Sequence, residues 1–177
     1  LGAVQTFREW IEQQPHIRCQ TNTRWLLRYL RTAKYSQLVA RQKLSGFLGC
    51  KSEFPKWYND IDTTDPAIQA VYDTGYVVPL PGTDPEGRKI LLGKEGALDP
   101  HSKVYNVNTV IRAVFAVMYH MLDDENVQVN GFIYMTDMSN FSLKHQTFWG
   151  MDGMKNSTKC FEGNMPARFK GFYCYNH

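Results

Sequence analysis

Between Val107 and Leu122 apolar residues fall on nearly every side of a helix: Val107, Val110, Ile111, Val114, Phe115, Val117, Met118, Met121 and Leu122. A helix apolar over so wide an arc must be covered on more than one face. One face can lie on a sheet. The other needs a second protein layer or a bound apolar guest. The flanking segments supply the sheet. Tyr76–Leu80 and Lys89–Leu92 read as short strands on either side of the turn-rich run Pro81–Gly87. Gly131–Asp137 reads as a buried strand, with Phe132, Tyr134 and Thr136 on one face and Ile133 and Met135 on the other. Leu143–Phe161 is irregularly helical, interrupted by Gly150 and Gly153, and Arg168–Tyr175 is a further strand. Strand, long helix, strand, helix, strand is the order of an α/β fold with a mostly parallel sheet flanked by helices.

A different composition precedes this region. Phe7, Trp10 and Ile11 recur at helical spacing within Thr6–Gln14, and Pro15 ends that pattern. A second helix is predicted from about Thr23, with Thr as cap, and it carries Arg24, Arg28 and Arg31 as a basic stripe. A third runs from about Ser36 to Leu48. The expected organisation is a small N-terminal helical bundle over residues 1–53 and an α/β domain over residues 54–177. Pro66 is placed in the first turn of a short helix after the loop Phe54–Asp65.

With 43% hydrophobic and 21% charged residues, the 177-residue chain has enough apolar material for an ordinary core. A net charge of +3 is too weak to imply a nucleic-acid partner. No apolar run reaches the roughly 20 residues of a membrane span. Cys19, Cys50, Cys160 and Cys174 are widely spaced and read as reduced thiols; His16 and Cys19 lack the companions of a zinc site. Asn140-Phe141-Ser142 and Asn156-Ser157-Thr158 fit a glycosylation pattern that is common by chance. Asp123-Asp124-Glu125 reads as a solvated helix end, Asp137 as a turn cap, and His145 as a satisfied structural group. Nothing assembles a nucleophile, base and oxyanion donor, so no enzyme and no cofactor are expected.

Four segments carry a resemblance. Arg24-Trp25-Leu26-Leu27-Arg28-Tyr29-Leu30-Arg31-Thr32-Ala33-Lys34-Tyr35 is similar to the helical signature preceding CRAL-TRIO domains. Asp84-Pro85-Glu86-Gly87-Arg88-Lys89 resembles the turn into that family's first core strand. Gly131–Asp137 with Ser142 and His145 resembles its central strand and turn, and Pro166–Asn176 its Pro-x-Arg-x-Lys-Gly strand. Trp10-Ile11-Glu12 and Pro15-His16-Ile17 add a likeness to the tocopherol-transfer and retinaldehyde-binding branch.

The resemblance implies a non-enzymatic carrier of a small hydrophobic molecule such as a tocopherol, retinoid or carotenoid. Its pocket would be lined by Ile111, Val114, Met118, Phe132, Leu143, Trp149, Cys160 and Phe172. It also implies a cytoplasmic protein in peripheral contact with anionic membranes, with Arg168 and Lys170 receiving phosphoinositide headgroups. The rival reading is a scaffold of the same fold without cargo, which Thr136 and Ser157, polar at pocket positions, would favour. Ala33 departs from the family signature where an Arg is usual, and the sequence stops at His177, before the family's gate helix and closing strand. A partial carrier, or a short form that dimerises or swaps elements, is the expectation that follows, with an open pocket and an exposed sheet edge.

Overall fold

The computed structural model describes residues 2–161 and 164–176; Leu1, Glu162, Gly163 and His177 lie outside the described residues. Helices α1 (Gly2–Glu12), α2 (Thr23–Thr32) and α3 (Gln37–Glu53) come first, then the short α4 (Pro55–Tyr58) and α5 (Pro66–Asp73). Local chemistry sets their starts. Asn22, rather than Thr23, caps α2 by accepting from the Trp25 N–H at 2.9 Å. Ser36 caps α3, and Asp65 caps α5 with Pro66 in its first turn.

The sheet follows, with β1 (Val77–Pro79), β2 (Lys89–Lys94), β3 (Phe132–Asp137) and β4 (Phe169–Tyr175). Spatial order equals chain order; β1 pairs antiparallel with β2, while β2, β3 and β4 run parallel. Helices α6 (Val107–Met121) and α7 (Glu125–Asn130) cross from β2 to β3, and α8 (Leu143–Phe161) crosses from β3 to β4. The fold is therefore α/β, with a mostly parallel open sheet behind a group of N-terminal helices.

The wide apolar arc of α6 is covered on two sides. Phe115 meets Tyr58 of α4 at 4.7 Å between ring centroids, and Tyr72 of α5 donates to the Ala113 carbonyl at 3.2 Å. Arg112, on the same helix, holds the loop after α4 by donating to the carbonyls of Lys56, Asn59 and Asp60. The second side of α6 faces the sheet.

The basic stripe of α2 is not a solvated face. Arg24 and Arg28 both pair with Asp123, Arg31 pairs with Glu125 at 2.8 Å, and Arg31 also donates to buried Gln128 at 2.7 Å. The acidic run between α6 and α7 thus docks the N-terminal helices. Asp124 meanwhile caps α7. All the buried apolar side chains from Val4 to Ala167 except Ile133 form one continuous cluster. No helix among the described residues is long and apolar enough to cross a membrane.

Candidate functional site

A cleft of about 520 Å³ lies between α6, α8 and one face of the sheet. Ile111, Val114 and Met118 reach it from one stripe of α6, spaced i, i+3 and i+7. Phe132, Tyr134 and Thr136 form its floor from alternate positions of β3. Trp149, Met154 and Phe161 of α8 stand opposite, and Phe169 and Phe172 close one side from β4. Phe169 and Phe172 are also solvent-exposed, so the cleft opens beside them.

Six of the eight expected lining residues share this wall: Ile111, Val114, Met118, Phe132, Trp149 and Phe172. Two stand elsewhere. Leu143 begins α8 and is 79% exposed, because the first turn of that helix projects past the cleft. Cys160 is fully buried but sits beside Cys50 and Tyr58, where burial pushes its thiol up to about 12. The cause is a break in α8. Gly150 takes φ 65°, ψ 159°, so the helix restarts after it and turns Phe161 rather than Cys160 to the cleft. Gly153, the other expected interruption, is helical, and a Cβ there would touch Val107 at 3.4 Å. All four cysteines are free.

Strand β4 also departs from simple alternation. Phe132 pairs with Phe169 but Ile133 pairs with Gly171, which leaves Lys170 as a bulge. The bulge lets Phe169, Phe172 and Cys174 all face the cleft despite mixed parity. Arg168 lies just before β4, and both its Cβ and the Lys170 side chain stand against Gly131 at the start of β3. Arg168 turns its guanidinium onto helix ends, donating to Thr32 O at 3.1 Å and to Arg31 O and Val129 O. A guanidinium engaged in three such bonds is a C-terminal cap for α2 and α7 rather than a free anion receptor. Lys170 is exposed.

The sequence reading missed Glu95, in a single 3-10 turn after β2, and Tyr76, just before β1. Both face the cleft, and the Tyr76 hydroxyl donates to Glu95 Oε1 at 3.4 Å. Burial raises the Glu95 carboxyl to about 7, against the opposing pull of Tyr76 and the Trp149 indole. A lone acid after a strand reads as surface, and only the cleft makes it notable. Beside it, Thr136 is 2% exposed and its hydroxyl has no hydrogen-bond partner. His145 is satisfied, with Nδ1 beside the Ser142 hydroxyl at 2.9 Å and Nε2 at 3.0 Å from the Leu98 carbonyl. Asp137 accepts from the Ser139 N–H at 2.9 Å, as a turn cap does.

Residues 73–177 match the CRAL/TRIO domain model, and residues 2–68 match the Pinta-like UBA domain model. The chain is 27% identical over 177 residues to the alpha-tocopherol transfer protein-like protein of Mus musculus, covering 99% of this chain and 50% of that one. It is 26% identical over 174 residues to clavesin-2 of Homo sapiens, covering 98% and 53%. Clavesin-1 of Xenopus laevis is 27% identical, with 98% and 52% covered. The chain thus spans about half the length of the curated relatives it matches. The parallel strands, the crossover helices and the cleft between them all fall within 73–177, more than half of the sequence, and on that match the chain belongs to the CRAL/TRIO domain family.

Proposed function

We propose that the chain takes up a small hydrophobic molecule, of the size of a tocopherol or retinoid, in the cleft between α6, α8 and the sheet, and passes it between membranes. One observation carries this reading: a space of about 520 Å³ whose wall is built largely from Ile, Val, Met, Phe and Trp side chains. Enclosing about 400 Å² of apolar ligand surface is worth roughly 10 kcal/mol before the costs of association, so release into water is slow and a membrane must assist it. The names of the relatives, one of them a tocopherol transfer protein-like protein, agree with such a cargo.

Organic extraction of the purified chain followed by mass spectrometry tests the reading. A stoichiometric lipid supports it; extracts matching a buffer blank, with no uptake when lipids are offered, overturn it. The membrane contact is assigned to Lys170, exposed on its bulge. Lys170→Glu is expected to lower recruitment to phosphoinositide liposomes while leaving the fold intact. Unchanged recruitment removes that contact.

A further inference from the structure

We propose that Glu95 makes the cleft selective for amphiphiles with a neutral hydroxyl head over the corresponding carboxylates. The proposal rests on the carrier reading above and adds the chemical class of the cargo to it.

Polar atoms gather where the carboxyl ends of β2 and β3 meet the cleft. Glu95 comes from the turn after β2, while Tyr134 and Thr136 come from β3, where Thr136 is level with Gly93 of β2. Tyr76 reaches in from the segment before β1, its hydroxyl shared between Glu95 and Tyr134. Gly93 leaves the room that the Tyr134 ring occupies, since a Cβ there would stand 2.9 Å from its Cζ. Elsewhere the wall is mainly apolar.

This group is incompletely satisfied. The Thr136 hydroxyl, 2% exposed, has no partner, and the Glu95 carboxyl is held by one long bond from Tyr76 and by the Trp149 indole. A buried hydroxyl without a partner is unfavourable until some ligand atom supplies one. An alcohol head both donates and accepts, so it complements Glu95 in its acid and its carboxylate form and can also serve Thr136. A ligand carboxylate would bring a second negative charge against Glu95 in a dry site. The groups that face Glu95, namely Tyr76, Tyr134 and Trp149, carry no positive charge, and the hydrogen bonds from Tyr76 and Trp149 offset its charge only in part. Burial, which lifts the Glu95 carboxyl to about 7, leaves it mainly ionised at pH 8, where the discrimination is largest.

The test uses the full chain with bound Nile red, displaced at pH 8 by dodecanol or by dodecanoate, which differ only at the head. Dodecanol is expected to displace the dye at about tenfold lower concentration or less. In Glu95→Gln, which keeps the size but never ionises, the dodecanol preference should shrink by about threefold or more, the remainder being the cost of desolvating the ligand carboxylate. Far-ultraviolet circular dichroism verifies that the variant is folded. Equal displacement by both in the wild-type chain, or a preference that Glu95→Gln leaves unchanged, overturns the selectivity and leaves the carrier reading standing. Displacement by neither overturns the carrier reading and the selectivity together.

Discussion

Glu95 carries a cost in the folded state that the unfolded chain does not bear. Its carboxyl is raised from 4.5 to about 7 by burial, so the folded protein holds this proton more tightly than the unfolded chain does. Stability from this group is therefore fully present below about pH 4.5 and is lost as pH rises through 7. At 1.36 kcal/mol per unit, the loss is on the order of 3 kcal/mol. Glu95→Gln should raise the unfolding midpoint at pH 8 and change it little at pH 4.5; equal effects at both values would show that the carboxyl is hydrated. Arg168 has the opposite character, because its charge is used where the chain needs donors. It serves the C-terminal carbonyls of α2 and the Val129 carbonyl of α7, so Arg168→Ala should destabilise by about 2–3 kcal/mol in urea melts. Arg168→Lys should recover little, since an ammonium cannot span three carbonyls as the fork does. The type of Arg168 was legible in the sequence but its direction was not. A guanidinium next to a strand reads the same whether it faces solvent or a helix end. Strand alternation put Thr136 on the face of Phe132, and the family resemblance made that face the pocket's.

At the scale of elements, most of the fold could be read because each segment carries its own punctuation. The wide arc of α6, the run Gly131–Asp137, Pro66 and the Ser36 cap all act locally and survive folding unchanged. What could not be read were departures from periodicity. The bulge at Lys170 and the break at Gly150 both come from the fit between elements, and each turns the residues after it to a new side. That is how Cys160 was expected in a wall it does not join, whereas Phe161 was not expected there; Leu143 stays out because it is exposed at the start of α8. Gly131 shows how close that fit is. It has φ 85°, and a Cβ on it would lie 2.8 Å from the Arg168 Cβ and against the Arg168 carbonyl, which accepts from Phe132 N–H at 2.9 Å. Gly131→Ala should therefore both strain the backbone and part the start of β3 from β4. We expect a loss of about 3 kcal/mol or more, with faster amide exchange across β4 than across β2. Uniform protection in the variant would mean that the strands simply shift to fit.

On the scale of the whole molecule, the N-terminal helices and the α/β layer share one core and one polar seam. The sequence displayed the two halves of that seam, the basic stripe of α2 and the acidic run Asp123–Glu125, but not that they meet, because a sequence separation near 100 residues leaves no local signal. Ion pairs whose carboxylates stand in solvent, as Asp123 and Glu125 do here, contribute little singly, so the seam depends on its buried member. Gln128 is 1% exposed, accepts from Arg31 at 2.7 Å and donates to the Leu122 carbonyl at 2.8 Å. Replacing it with leucine keeps the volume but strands a guanidinium donor and a buried carbonyl, a loss of about 2–3 kcal/mol. Because the apolar cluster runs without interruption from Val4 to Ala167, that loss cannot be confined to one side of the seam. Wild-type chain and Gln128→Leu should each unfold in a single step, with helix dichroism and tryptophan emission coincident, and the variant's midpoint should fall by roughly 4–12 °C. Two separated transitions in the wild-type chain would show that the helical preface and the cleft-bearing layer fold independently. In that case occupancy of the cleft would raise only the later of the two midpoints, whereas a shared core requires bound lipid to raise the single midpoint for both reporters together.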